Sequence, residues 1–167
     1  LWLVLAQSCM KMRISDGKAK EKFAEQGVTL QTATLHINGF PLHYAQTGSD
    51  TLPTLLFVHG TPGSWDAFAA YLRNKELLQH YRIISVDRPG FGYSDFGHAM
   101  NMTEQTKIIS AWMDSVYNGK PFVFIGHSMG GPMIVKLAAA RPSYTKALLI
   151  LAGSMDPAAE KPEKWRP

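Results

Sequence analysis

Near the end of the chain, Gly126-His127-Ser128-Met129-Gly130 sets a hydroxyl between two glycines. A serine in this spacing can act as a nucleophile where a strand ends sharply and a helix starts at once. The apolar run PFVFI at 121–125 supplies the strand, and 129–140, MGGPMIVKLAAA, supplies the helix. So tight a join forces the serine into a strained backbone conformation that holds its hydroxyl outward. Crowding there leaves room only for glycine at 126 and 130. The start of the following helix adds N–H groups and partial positive charge, which suit a developing oxyanion. A serine here would also serve as a helix cap, but a cap requires neither glycine.

A serine hydroxyl needs a base, and the base needs an orienting acid. All six histidines, His36, His43, His59, His80, His98 and His127, precede Ser128. His127 is adjacent, with its side chain expected to point away from the hydroxyl. His98 falls in a loop. Asp156, after the last apolar run, is a candidate acid, and a plain loop aspartate before Pro157 is the bland alternative.

Two further segments hold residue types that suit a site. In HGTPGS (59–64), Gly60 lets the backbone approach a substrate, and Pro62 is a candidate for a cis bond in a tight turn. His59 reads as a structural hydrogen-bonding group rather than a base. In DRPGFGYSD (87–95), Pro89 and Gly90 set a turn. Asp87 and Arg88 read as scaffold, paired with backbone or nearby groups, and Phe91 has a pocket-lining alternative.

The elements that position these segments follow from periodicity. Residues 32–37 alternate, Asn38-Gly39 favours a hairpin turn, and 42–46 return. Residues 54–58 (TLLFV) form a continuous apolar run, as a strand buried on both faces should. Strands are also predicted over 81–86, 121–125 and 146–151, with helices over 65–72, 103–117 (Thr103 as cap) and 129–140. After the hairpin, strands and helices alternate, which predicts an α/β fold: a mostly parallel twisted sheet with helices on both faces. Such sheets place chemistry at the carboxyl ends of their strands, where 59–64, 87–95 and 126–131 all fall.

Three ordered stretches, FVHGTPGS (57–64), SVDRPGFGYSD (85–95) and FIGHSMGGPMIVKLAA (124–139), make the chain resemble the N-terminal part of an α/β-hydrolase fold protein over about residues 33–156. The resemblance implies Ser128 as nucleophile and the backbone N–H groups of Thr61 and Met129 as the oxyanion hole. The branch that shares these motifs holds esterases, epoxide hydrolases, dehalogenases, carbon–carbon bond hydrolases and proline iminopeptidases. Its epoxide hydrolases and haloalkane dehalogenases carry aspartate at the elbow, so serine points instead to an acyl-enzyme on an ester or other carbonyl substrate. The resemblance also implies the order serine, acid, histidine. The base is therefore unknown and expected beyond Pro167, in a protein cut short at its C-terminus, and residues 1–167 alone are expected to be inactive or nearly so. A non-catalytic binding or signalling member is the rival from another class.

Composition bounds the rest. The chain has 167 residues, 46% hydrophobic and 18% charged, with a net charge of +4 and one cysteine. These are globular proportions. No basic stripe with interleaved aromatics points to nucleic acid, and a lone cysteine builds no disulfide framework. No metal or organic cofactor is implied. The partner expected is a small-molecule substrate, and oligomeric state is unreadable.

Residues 1–10 are an apolar segment too short to span a bilayer. LAQSC, which ends at Cys9, resembles the end of a bacterial lipoprotein signal, with Cys9 as the lipidation site. The stretch also fits the end of a membrane anchor with Lys11 and Arg13 at the interface, or a buried turn. Membrane attachment or export is expected on the first two readings and a cytoplasmic protein on the third. Residues 11–27 read as a polar helical arm on the surface, 28–156 as a partial hydrolase core, and 157–167 as a linker toward a missing cap and C-terminal part.

Overall fold

The structure is a computed structural model that describes residues 13–94, 97, 99–153 and 155. Cys9 with residues 1–10, His98, Asp156 and the linker 157–167 lie outside the described residues.

Six strands form one sheet in the order β1-β2-β4-β3-β5-β6. β1 (Gln31–Ile37) and β2 (Phe40–Thr47) make the opening hairpin, antiparallel through the Asn38-Gly39 turn. β2 then pairs antiparallel with β4 (Arg82–Val86). β3 (Thr54–Val58), β5 (Phe122–His127) and β6 (Thr145–Leu151) complete the sheet in parallel with β4. Every residue of β3 and β4 is buried. Burial on both faces accounts for the apolar run at 55–58, while in β4 the buried Arg82 donates to Thr54 Oγ1 and Val116 O, and the buried Ser85 to Trp65 O.

Side chains of these strands alternate between two cores. Leu56, Val58, Ile84, Val86, Phe122 and Phe124 face a cluster built with α4 (Met102–Val116) and α5 (Gly130–Ala140) through Trp112, Met113, Met133 and Ile134. Leu55, Phe57, Ile83 and Ile125 face the other cluster. That one is filled by α1 (Asp16–Ala24), by a 3₁₀ turn (Trp65–Phe68) and by α2 (Ala69–Leu72) through Phe23, Trp65, Phe68 and Leu72. Helices thus cover both faces.

Three details differ from the sequence reading. α4 is capped by Asn101, not Thr103: the Asn101 side chain accepts from Glu104 N–H while the Glu104 carboxylate accepts from Asn101 N–H. This capping box satisfies two end groups at once, which the threonine would not. A short helix α3 (Lys75–Leu78), capped by Asn74, was not anticipated, because four residues carry no period. The N-terminal arm is also not a detached surface element. Ala19 and Phe23, four residues apart on one face of α1, are fully buried, and Phe23 packs toward Trp65 at 6.4 Å between ring centroids. Arg13 lies over the Tyr93 ring at 3.9 Å, and Ile14 N–H donates to Asp66 at 3.0 Å. Among the described residues no helix is long and apolar enough to cross a membrane.

Candidate active site

Strand register brings the three motif segments together. Val58 pairs with Val86 on one side and with Gly126 on the other. The chain therefore leaves β3, β4 and β5 at one end of the sheet, into 59–64, 87–94 and 127–131.

Ser128 sits at the join of β5 and α5 with φ of 51°, in the left-handed region that serine seldom enters. Its N–H donates to Leu151 O at 2.9 Å, and its carbonyl accepts from Gly131 N–H at 2.8 Å. These bonds tie the turn to β6 and to the start of α5. The residue is half-buried, and its hydroxyl has no hydrogen-bond partner among the described residues. The glycines do the steric work expected of them. A Cβ on Gly126 would collide with the Gly130 carbonyl, and one on Gly130 with the Val58 carbonyl. A Cβ on Gly60 would stand 2.9 Å from Ser128 Cβ, so the loop after β3 lies directly against the serine.

That loop is held from behind. His59, 1% exposed, has both ring nitrogens engaged. Nδ1–H donates to Gly60 O at 2.7 Å, and Nε2 accepts from Arg88 N–H at 3.0 Å. The ring is therefore the neutral Nδ1–H tautomer. Burial first, and the Arg88 charge second, push its pKa down to about 4. His59 is a structural hydrogen-bonding group, as its sequence context suggests. Arg88 Nη2 donates to Gly60 O at 3.0 Å and to Thr61 Oγ1 at 2.5 Å, and Nη1 reaches Gln105 Oε1 at 3.3 Å. Its guanidinium lies 4.5 Å from the Phe91 ring centre, and that ring meets His59 edge-on at 5.5 Å. Burial lowers the Arg88 pKa to about 10, which leaves it charged at neutral pH. The Thr61–Pro62 bond is cis.

Asp87 anchors the neighbouring turn. Its fully buried carboxylate accepts from Trp65 N–H at 2.6 Å and Tyr93 N–H at 2.9 Å, and from His43 Nδ1–H at 2.8 Å. His43 Nε2–H donates to Asp16 at 3.1 Å. Burial alone would lower the His43 pKa. Two flanking carboxylates outweigh it and raise the pKa, which favours the imidazolium form of His43 between α1 and the Asp87 turn. Asp87 and Arg88 are thus scaffold groups that pair with backbone and near neighbours. Sequence reasoning missed His43 and Asp16. His43 is one residue in a strand of β2, and its partners are 27 and 44 residues away.

Of the residues singled out from sequence, the fold brings Ser128, Met129, Gly60, Thr61 and Phe91 to one end of the sheet. The Met129 side chain is 40% exposed. Neither the Thr61 nor the Met129 backbone N–H donates to an acceptor among the described residues. His127 is exposed, with its Nδ1 3.3 Å from where a Gly60 Cβ would stand. No described histidine makes a hydrogen bond to the Ser128 hydroxyl.

Comparison with known proteins agrees with this geometry. The family model for the alpha/beta hydrolase fold matches residues 53–167. The chain is 33% identical over 111 residues to epoxide hydrolase 1 of Caenorhabditis elegans, covering 65% of this chain and 27% of that protein. It is 33% identical over 128 residues to the pimeloyl-[acyl-carrier protein] methyl ester esterase of Shewanella oneidensis, covering 75% and 43%. The crystal structure of an epoxide hydrolase from Vigna radiata superposes with a TM-score of 0.68 at 24% identity, covering 77% of this chain and 42% of that one. The chain spans less than half the length of these relatives. With the strand order, the glycine-flanked serine and the family match in agreement, the chain belongs to the α/β-hydrolase fold family.

Proposed function

We propose that the whole protein is a serine hydrolase that cleaves an ester or similar carbonyl substrate through an acyl-enzyme. The observation that carries this reading is Ser128 itself: left-handed at the strand–helix join, with a hydroxyl free of protein partners among the described residues. Ser128 Oγ attacks the carbonyl carbon as its proton passes to a base. The carbonyl oxygen becomes an oxyanion, held by the backbone N–H groups of Thr61 and Met129. Collapse of the tetrahedral intermediate expels the alcohol, which takes up the proton, and water then releases the acid by the same steps. Each oxyanion donor contributes about 3–4 kcal/mol in sites of this kind. The absence of any hydrogen-bond acceptor for these two amides among the described residues supports this role.

Aspartate would be needed at position 128 for the epoxide- or haloalkane-opening chemistry that the resemblance associates with that residue. Serine favours the esterase branch, which the methyl ester esterase of Shewanella oneidensis represents among the relatives. Phe91, half-buried beside the loop, is the proposed wall of the acyl pocket. The base is a histidine outside the six in this sequence and the acid is Asp156 or a later carboxylate, so residues 1–167 alone turn over little or no ester.

Labelling of the whole protein with a fluorophosphonate probe tests the assignment. Wild-type protein should label covalently and Ser128→Ala should not. An unlabelled wild type, or labelling that survives the substitution, favours a binding protein that keeps the elbow without catalysis.

A further inference from the structure

We propose that His59 and Arg88 form a clamp that sets the orientation of the Gly60–Thr61 peptide, with Arg88 a positioning residue for the Thr61 N–H. This rests on the reading of Ser128 given above. In a trans peptide the carbonyl and the following N–H point to opposite sides of one rigid plane. The only cis bond among the described residues is Thr61–Pro62, so the Gly60–Thr61 unit is trans. Its carbonyl receives two donors, His59 Nδ1–H at 2.7 Å and Arg88 Nη2–H at 3.0 Å. The Thr61 N–H therefore faces away from the guanidinium. A second arm of the same Nη2 holds Thr61 Oγ1, so residues at both ends of the Gly60–Thr61 peptide are tied to one guanidinium. If the peptide flipped, the carbonyl would take the place of the N–H and an oxyanion would meet repulsion instead of a donor.

Charge pairing gives no reason for a buried Arg88. The residue is 2% exposed, Nε is buried without a partner, and no carboxylate lies within ion-pair distance among the described residues. An unpaired buried cation is costly. What the guanidinium does instead is spend Nη2 on the loop beside Ser128, braced by Gln105 and the Phe91 face. A planar fork suits this geometry better than an ammonium.

The test measures the rate of fluorophosphonate labelling and the kcat and KM of ester hydrolysis in the whole protein. Arg88→Ala should slow both labelling and kcat by about 100-fold, the scale of losing one oxyanion donor, with KM little changed. Added guanidinium should restore part of the rate, and Arg88→Lys should fall between. Thr61→Val keeps the amide and removes only the Oγ1 arm, so a loss of several-fold is expected. Where Arg88→Ala does not fold, Thr61→Val and Arg88→Lys decide, and wild-type rates in both overturn the clamp. So does an Arg88→Ala rate loss that guanidinium leaves untouched. A wild type that never labels overturns the Ser128 reading instead, whereas normal labelling of wild type and variants alike removes only the clamp.

Discussion

His43 and His59 are both buried, yet they titrate in opposite directions, and the difference lies in what faces each ring. His43 has Asp87 and Asp16 on its two nitrogens, with the Tyr93 ring at 5.1 Å and Arg13 beyond it. His59 has a carbonyl, an N–H and a neighbouring cation. In the folded chain the His43 pKa is raised, so its contribution is fully present below the unfolded value near 6.5 and is lost as pH climbs through the higher folded value. The His59 pKa is lowered to about 4, so its contribution is present above the unfolded value and is lost as pH falls from about 6.5 toward 4. A difference of this size corresponds to about 3 kcal/mol, to order of magnitude. Denaturant unfolding across pH should therefore show two limbs. Comparison with His59→Asn should isolate the acid limb, the gap between wild type and variant closing from pH 6.5 to 4. His43→Asn should flatten the alkaline one. A gap that stays constant across either window contradicts the assignment of that histidine.

At the scale of the element, the join of β5 and α5 shows how much was legible in the sequence. The two glycines flanking Ser128, read between an apolar strand and an apolar helix, were enough to expect a crowded turn, and their missing Cβ atoms face the Gly130 and Val58 carbonyls. β3 was equally legible, because a strand buried on both faces leaves a nearly unbroken apolar run, and β4 and β5 showed as short runs rich in apolar residues. What stayed hidden depends on contacts across long sequence separations. The docking of α1 rests on Ala19 and Phe23 amid lysines and glutamates, too few apolar residues to register as a buried face. The Asp16–His43–Asp87 chain joins three elements, with no local pattern at any of them. A quantitative expectation follows for the join. Gly130→Ala drives a methyl into the Val58 carbonyl on one of the most constrained strands, and backbone cannot yield as a flexible side chain can. Stability should fall by about 3 kcal/mol or more, read as a loss in denaturant midpoint. Ala139→Gly, near the exposed end of the same helix, should cost only about 1 kcal/mol. Equal losses would mean that helix propensity, not the close approach, governs position 130.

At the scale of the whole molecule, the sheet is finished unevenly. β3 and β4 are enclosed, whereas β6 pairs only with β5 among the described residues and leaves Leu148, Leu149 and Ile150 at 39%, 52% and 36% exposure. Three consecutive apolar residues on an unpaired edge combine free backbone groups with apolar surface, the usual setting for edge-to-edge association. Residues 1–167 should therefore self-associate as concentration rises, and Leu149→Lys should return them toward monomer in sedimentation velocity, since an edge lysine opposes strand addition. In the whole protein, we infer that further structure covers β6, as fits a chain spanning less than half the length of its relatives. There the sign reverses: Leu149→Lys should destabilise by about 2 kcal/mol, the scale of losing one buried leucine. A monomer at all concentrations for residues 1–167, or a neutral effect of the substitution in the whole protein, would mean that this edge is built to stay open to solvent.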